Sequence, residues 1–245
     1  MQVMQRRNKF HLTQSLLSDF GRVFTTEDGY EAFLKSLYRQ PKPLTEAMAN
    51  GIEFESCVNS VLDGEFIPKT HKWYKPVMEL ADYLKGSQKQ VTLKRDIVVD
   101  GVCFELYGVL DFLRSGIIYD TKFSKHYYLN KYLTSFQHPL YFYLTPEARE
   151  FQYLSCDGQF IYKETYHPDE VTPIEVTIKQ FMVFLDRSHL IEPYTSLWNL
   201  ETYYESKRKE EWLKQIKKSP EAIQNHMEKV KRSYTPKNQT NNKER

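Results

Sequence analysis

A chain of 245 residues, 40% hydrophobic and 15% aromatic, is long enough to enclose one substantial core. Its 34 basic residues nearly balance 32 acidic ones, a net charge of +2, so no overall field advertises a polyanionic partner and any basic surface must be local. Cys57, Cys103 and Cys156 lie far apart with no CxxC pair, which argues against a zinc ribbon, an iron-sulfur cluster and a disulfide scaffold, and fits a reducing cytoplasm. The basic start MQVMQRRNKFHL has no apolar segment behind it, and nowhere do about 18 apolar residues run together. Neither an export signal nor a membrane span is expected.

Residues 1 to 10 read as a loose leader. HLTQSLLSDFGRVF and TEDGYEAFLKSLYRQ then carry helical spacing, with Leu16, Leu17 and Phe20 on one face and Tyr30, Phe33, Leu34 and Leu37 on the next. PKP at 41 to 43 closes this region, and Thr45 is placed to cap a helix through TEAMANGIEFESCVNSVLDG. Met48, Ile52, Val58 and Leu62 form its expected buried stripe. Glu55, three residues after Ile52, falls on that stripe, whereas Glu53 points to the other side. An acid there sits at the edge in solvent, pairs with a base, or does chemistry.

KPVMELADYLKG reads as another helix and VTLKRDIVVD as the first clear strand. Asp100-Gly101 is a hairpin signal, so VCFELYGVLDFLR returns antiparallel, and Ser115-Gly116 turns the chain again into IIYDTK. Asp111, Asp120 and Lys122 thus fall on otherwise apolar strands. An unpaired buried carboxylate costs several kcal/mol or takes up a proton, so two converging carboxylates ask for a cation. Alternation puts Asp120 and Lys122 on one face, with the lysine aimed at the ion the acids would hold. That is the arrangement of a metal-dependent phosphodiester hydrolase.

SKHYYLNKYLTSFQHPLYFYL is aromatic, with Gln137 and Tyr141 one above the other if helical and Pro139 suited to the first turn of a helix restarting near Gln137. Its lysines and rings, Lys125, Lys131, Tyr127, Tyr128, Tyr132 and Phe136, suit either a stacking and phosphate-binding surface or a core. EFQYLSC and QFIYKETYH flank Asp157-Gly158 as a further hairpin. TPIEVTIKQFMVFLDRSHL reads as an amphipathic helix, and IEPYTSLWNLETYYESKRKEEWLKQIKK as a second, longer one. The polar end of the chain predicts a frayed or disordered tail.

Taken in order, these residues resemble the PD-(D/E)XK nuclease superfamily, in particular its RecB-type branch, which includes phage exonucleases. Gly51-x-x-Phe54-Glu55 is similar to the branch's first motif, Gly108-Val109-Leu110-Asp111 to its G-x-x-D strand, Asp120-Thr121-Lys122 to its D-x-K strand, and Gln137 with Tyr141 to its Q-x-x-x-Y helix. LTQSLLSDF is more weakly similar to the start of such proteins. The match covers about residues 45 to 145. Leu110 stands in place of the superfamily's proline, and Glu55 where many members have histidine. The four cysteines that hold an iron-sulfur cluster in some relatives are absent.

The resemblance implies an α/β, restriction-endonuclease-like core, a central mixed sheet of about five strands flanked by helices, with helical N-terminal and C-terminal additions. It implies one nuclease domain over residues 1–225, its core about 45–166 and its C-terminal helices about 173–218, and a basic tail over 226–245. Mg²⁺ or Mn²⁺ is the implied cofactor, held by Asp111, Asp120, the Thr121 carbonyl and Glu55, with no iron-sulfur cluster. Lys122 would orient the attacking water, and Gln137 and Tyr141 would position DNA. The expected function is a metal-dependent deoxyribonuclease of a phage or bacterium, with an exonuclease in recombination, repair or end processing favoured. DNA is the expected partner, alongside a second copy of the chain or a recombination protein, in the cytoplasm. The rivals are a non-catalytic nucleic-acid-binding protein on the same scaffold and a metal-dependent phosphohydrolase of small molecules.

Overall fold

A computed structural model describes residues 8–218 of the chain. The protein is a mixed α/β structure whose central six-stranded sheet is flanked by helices, one strand more than the sequence leads one to expect. The added strand is β1 (Lys9–Thr13), where a leader and the start of a helix were expected. It pairs in parallel with residues 103–107 of β3, which satisfies its backbone before the Thr13 side chain accepts from Leu16 N–H and starts α1 (Gln14–Arg22). α2 (Gly29–Leu37) follows, then α3 (Glu46–Leu62), capped by Thr45 as expected, and α4 (Tyr74–Leu84).

β2 (Gln88–Val99), β3 (Val102–Arg114) and β4 (Ile117–Phe123) are consecutive antiparallel strands. Both joining turns have left-handed backbone at two successive residues, Asp100 with Gly101 and Ser115 with Gly116, the twist that two-residue hairpins require. β2 runs along one edge of β3 over almost its whole length, so the opposite edge is shared. β1 takes residues 103–107 of that edge and β4 takes only 112–114. Between them β3 and β4 part, and the fork opens at Gly108 to Asp111. β5 (Glu150–Cys156) joins β4 in parallel and β6 (Ile161–Tyr166) closes the sheet antiparallel to β5, leaving β4 central.

α3 and α4 cover β4 and β5 through Phe54, Val58, Trp73, Val77, Leu80 and Tyr119. The stripe on α3 therefore differs from the expected one. Met48 and Ile52 are 47% and 60% exposed, because only the later turns of α3 reach α4 and the sheet. A second core joins α1, α2, α6 (Ile174–Arg187) and α7 (Ile191–Leu197) around Phe20, Phe33, Phe181 and Tyr194. Residues 124–136 form turns, with Tyr132 stacked on Tyr153 and Tyr127 on Tyr162, and α5 (Gln137–Leu144) starts at Gln137 with Pro139 in its first turn, as expected.

The long helix expected over 191–218 is broken at Trp198 and Asn199. Trp198 accepts from His11 N–H and donates its indole N–H to Leu37 O, while Asn199 bridges to Phe10, so both residues serve β1. The contacts of the chain fall into two units, Met1–Leu200 and Glu201–Arg245. The first holds the sheet and α1 to α7. The second begins one residue into α8 (Leu200–Lys218), a polar helix with a Lys207–Glu210 pair on its surface. The boundary expected at 225 and the expected tail over 226–245 lie outside the described residues.

Candidate active site

The fork between β3 and β4 is where the charged strand residues meet. Beyond the last paired residues, Phe112 and Tyr119, the ladder is replaced by a side chain: Asp111 Oδ2 accepts from Thr121 N–H at 3.1 Å and lies 3.5 Å from the Thr121 hydroxyl. Asp120, 2% exposed, points to Lys122, whose Nζ is 2.6 Å from Asp120 Oδ2. The spacing of two along β4 thus puts acid and lysine side by side, as alternation predicts. Oδ2 has no hydrogen bond beyond that contact among the described residues.

α5 fixes the other oxygen. Gln137, 6% exposed, donates its side-chain amide to Asp120 Oδ1, and Tyr141, 3% exposed, donates its hydroxyl to Val109 O at 2.6 Å. Both side chains face inward, one holding an acid of the site and the other the strand that carries Asp111. Gly108 shows why the strand admits the ring: a Cβ there would lie 2.3 Å from Tyr141 Cε1. Glycine at 108, on the strand beneath α5, is thus a packing requirement of the fork.

Glu55 reaches the site from α3, half-buried, and accepts from the Gln90 amide at 3.0 Å. On β2, Lys89 and Val91 pair with Phe112 and Leu110, but Gln90 between them, with φ of 50°, drops out of the ladder beside Asp111 and turns its amide to Glu55. Left-handed backbone in a non-glycine strand residue is uncommon and costs energy that local contacts must balance. No motif signals Gln90, since a single glutamine in a strand looks like any polar edge residue. Tyr132, one of the rings that suited either a stacking surface or a core, stacks on Tyr153; its hydroxyl lies 3.0 Å from Ser155 Oγ, opposite Lys122 across the β4–β5 pair, within electrostatic reach of Lys122 and Asp120.

The electrostatics of the cluster are those of too much acid. Burial pushes the Asp111 carboxyl up to about 8, with the charges of Asp120 and Glu55 adding to it against Lys122. Burial and the Asp120 charge raise Glu55 as well. Burial pulls Lys122 down, but the Asp120 and Asp111 carboxylates outweigh it and its pKa ends above the ordinary lysine value. Three carboxylates thus face one ammonium. Asp111, Asp120 and the Thr121 carbonyl offer oxygen ligands of the kind a hard divalent cation prefers. Among the described residues, no three His, Cys, Asp or Glu side chains converge into a ready cage, and Glu55 stands off on Gln90. Asp120 Oδ2, which meets Lys122 and no other hydrogen-bond donor among the described residues, and Asp111, which burial pushes towards its protonated form, are the features that fit an ion.

No family model matches this sequence, and no curated protein matches it. Among solved structures, one described as the crystal structure of SSO0001 is similar with a TM-score of 0.45 at 16% identity, over 74% of this chain and 79% of that one. No helix among the described residues is long and apolar enough to cross a membrane.

Proposed function

We propose that the protein is a metal-dependent nuclease that hydrolyses DNA phosphodiester bonds on a restriction-endonuclease-like core of the PD-(D/E)XK type. The observation that carries this reading is the excess acid at the β3–β4 fork, where Asp111, Asp120 and Glu55 share a partly buried space with one cation among the described residues, Lys122. Such a site takes up either a proton or a cation. Asp111, Asp120 and the Thr121 carbonyl would hold Mg²⁺ or Mn²⁺, with Glu55 as a further oxygen donor. When bound, the ion would polarise the scissile phosphate and acidify a water. Lys122, kept charged by its two acids, orients that water or balances charge growing on the phosphate. Gln137 and Tyr141 act behind the site, the first keeping Asp120 aligned and the second keeping β3 in place.

Gly51 supports a substrate approaching along α3. A Cβ there would meet nothing within 4 Å, so packing does not ask for glycine, and a helix-interior glycine costs about 1 kcal/mol against alanine. It lies one turn before Glu55 on the same helix face and leaves that face open.

The test is incubation with linear and closed circular DNA, single- and double-stranded, with Mg²⁺ or Mn²⁺. We expect metal-dependent cleavage of linear DNA, and opening of a closed circle would mark an endonuclease. Lys122→Ala and Asp120→Ala lower the rate by about 10²-fold or more while circular dichroism stays native. Full activity in either variant sinks the assignment.

A further inference from the structure

A basic feature lies beyond the acidic fork, between the start of α4 and the β5–β6 turn. Here Lys69, His71, Lys72, Tyr74, Lys75 and Phe160 line a cleft of about 500 Å³. Lys72 is engaged, with Nζ 2.8 Å from Glu53 Oε2 and 3.9 Å from the centre of the Trp73 ring, and His71 Nδ1 accepts from Trp73 N–H. Lys69 and Lys75 are exposed and have no ion-pair partner among the described residues. The first turn of α4 contributes no acid, and its positive dipole end opens on the same space. In a chain whose net charge is only +2, this local excess is the basic surface that overall composition hides.

The cleft also carries an apolar ring that the core does not use. Phe160 is 62% exposed on the turn, which Asp157 holds in shape by accepting from Gln159 N–H and Phe160 N–H at 2.8 Å. A rigid turn presenting a bare ring beside lysines is suited to stacking an unpaired base while the lysines meet phosphates. The cleft and the fork meet at the end of β4, on opposite faces of that strand. Trp73, behind the lysines, packs on Phe123 with ring centres 4.6 Å apart, and Phe123 directly follows Lys122 on β4.

We propose that this cleft binds the sugar-phosphate backbone of a single nucleic-acid strand, with Lys69 and Lys75 on phosphates and Phe160 under an unpaired base, leading the strand to the Asp111–Asp120–Lys122 fork. The fork as destination rests on the nuclease reading. Binding at the cleft does not, because it needs no metal.

The experiment is anisotropy titration of fluorescein-labelled oligothymidylate, long enough to span both places, into the whole protein with EDTA present at several salt concentrations. Each lysine on a phosphate contributes about 0.7 to the slope of log affinity against log salt. Lys69→Ala with Lys75→Ala therefore lowers the slope by about 1.4 and weakens binding about 25-fold at 0.1 M salt. Phe160→Ala weakens oligothymidylate about tenfold and leaves a blunt duplex unaffected. Lys179→Ala, on α6 and paired with Asp100 at the distant β2–β3 turn, changes nothing. An unchanged affinity and slope in the double lysine variant overturns the proposal, as does an equal loss for polyglutamate, or for duplex and single strand alike in Phe160→Ala. Lysine-dependent binding in a protein that cleaves nothing keeps the cleft and discards the nuclease. Metal-dependent cleavage with binding indifferent to both lysines does the reverse.

Discussion

Asp111 is asked to satisfy two conflicting demands. To hold a cation it must be ionised, yet burial and the charge of Asp120 push its pKa up to about 8. The folded value lies above the unfolded value of about 3.9, so the folded protein binds the proton more tightly. Its proton-linked contribution is complete below pH 3.9 and is lost as the pH rises through 8. Asparagine at this position mimics the protonated acid and its side-chain oxygen still accepts from Thr121 N–H. Asp111→Asn should therefore melt a few degrees above wild type at pH 8 without metal, match it near pH 4, and gain nothing from Mg²⁺ that stabilises wild type. Scanning fluorimetry across pH, with and without Mg²⁺, reads all three. A variant no more stable than wild type at pH 8 would mean that the carboxylate is not strained by its neighbours.

Among the elements, α5 and β3 show how a short helix serves a site it barely enters. Pro139 in the first turn needs no hydrogen-bond donor there, so α5 starts at Gln137 and the spacing of four brings Gln137 to Asp120 and Tyr141 to Val109 O. The ring fits only because residue 108 lacks a Cβ. Gly108→Ala would place a methyl 2.3 Å from Tyr141 Cε1 and 3.2 Å from Leu144 Cδ1. Overpacking of this kind costs about 1–3 kcal/mol, measurable as a lower urea midpoint. The displaced α5 should also release Gln137 from Asp120, so cleavage falls along with stability. A wild-type midpoint in this variant would show that the fork yields more easily than its packing implies. The G-x-x-D spacing marked Gly108 as notable, but only the helix lying across the strand explains the glycine.

Over the molecule as a whole, two buried histidines among the described residues weaken the fold as the pH falls. Burial holds His138, stacked on Tyr166 with its Nδ1 3.1 Å from the Tyr153 hydroxyl, down at about 4. Burial likewise pulls His11, on β1 and beside Glu105, down to about 4. The unfolded chain protonates both near pH 6.5. Their contribution is therefore present above that pH and is lost as the pH falls from about 6.5 towards 4. Asp111, which gains stability as the pH falls, is common to both proteins, so between pH 7.5 and 5 the melting temperature of His138→Phe, which keeps a ring against Tyr166 and has nothing to titrate, should drop less than that of wild type. An identical drop in both proteins would exclude His138 from the effect.

What could be read along the chain was what depends on neighbours in sequence. The Asp-Gly and Ser-Gly turns, the antiparallel run of β2, β3 and β4, the Thr45 cap and the start of α5 all follow from local backbone preference and hydrophobic period. Charge on apolar strands likewise singled out Asp111, Asp120 and Lys122 before any contact was known. Three features depended on residues far apart in sequence meeting. β1 exists because β3 leaves half an edge open; Met48 and Ile52 are exposed because α4 reaches only the later turns of α3; and Gln90 joins Glu55 because a left-handed residue breaks the β2 ladder opposite Asp111. Period and propensity report the face a residue prefers. Which partner occupies that face is settled by the closing of the sheet, since the energy of a buried contact belongs to the pair.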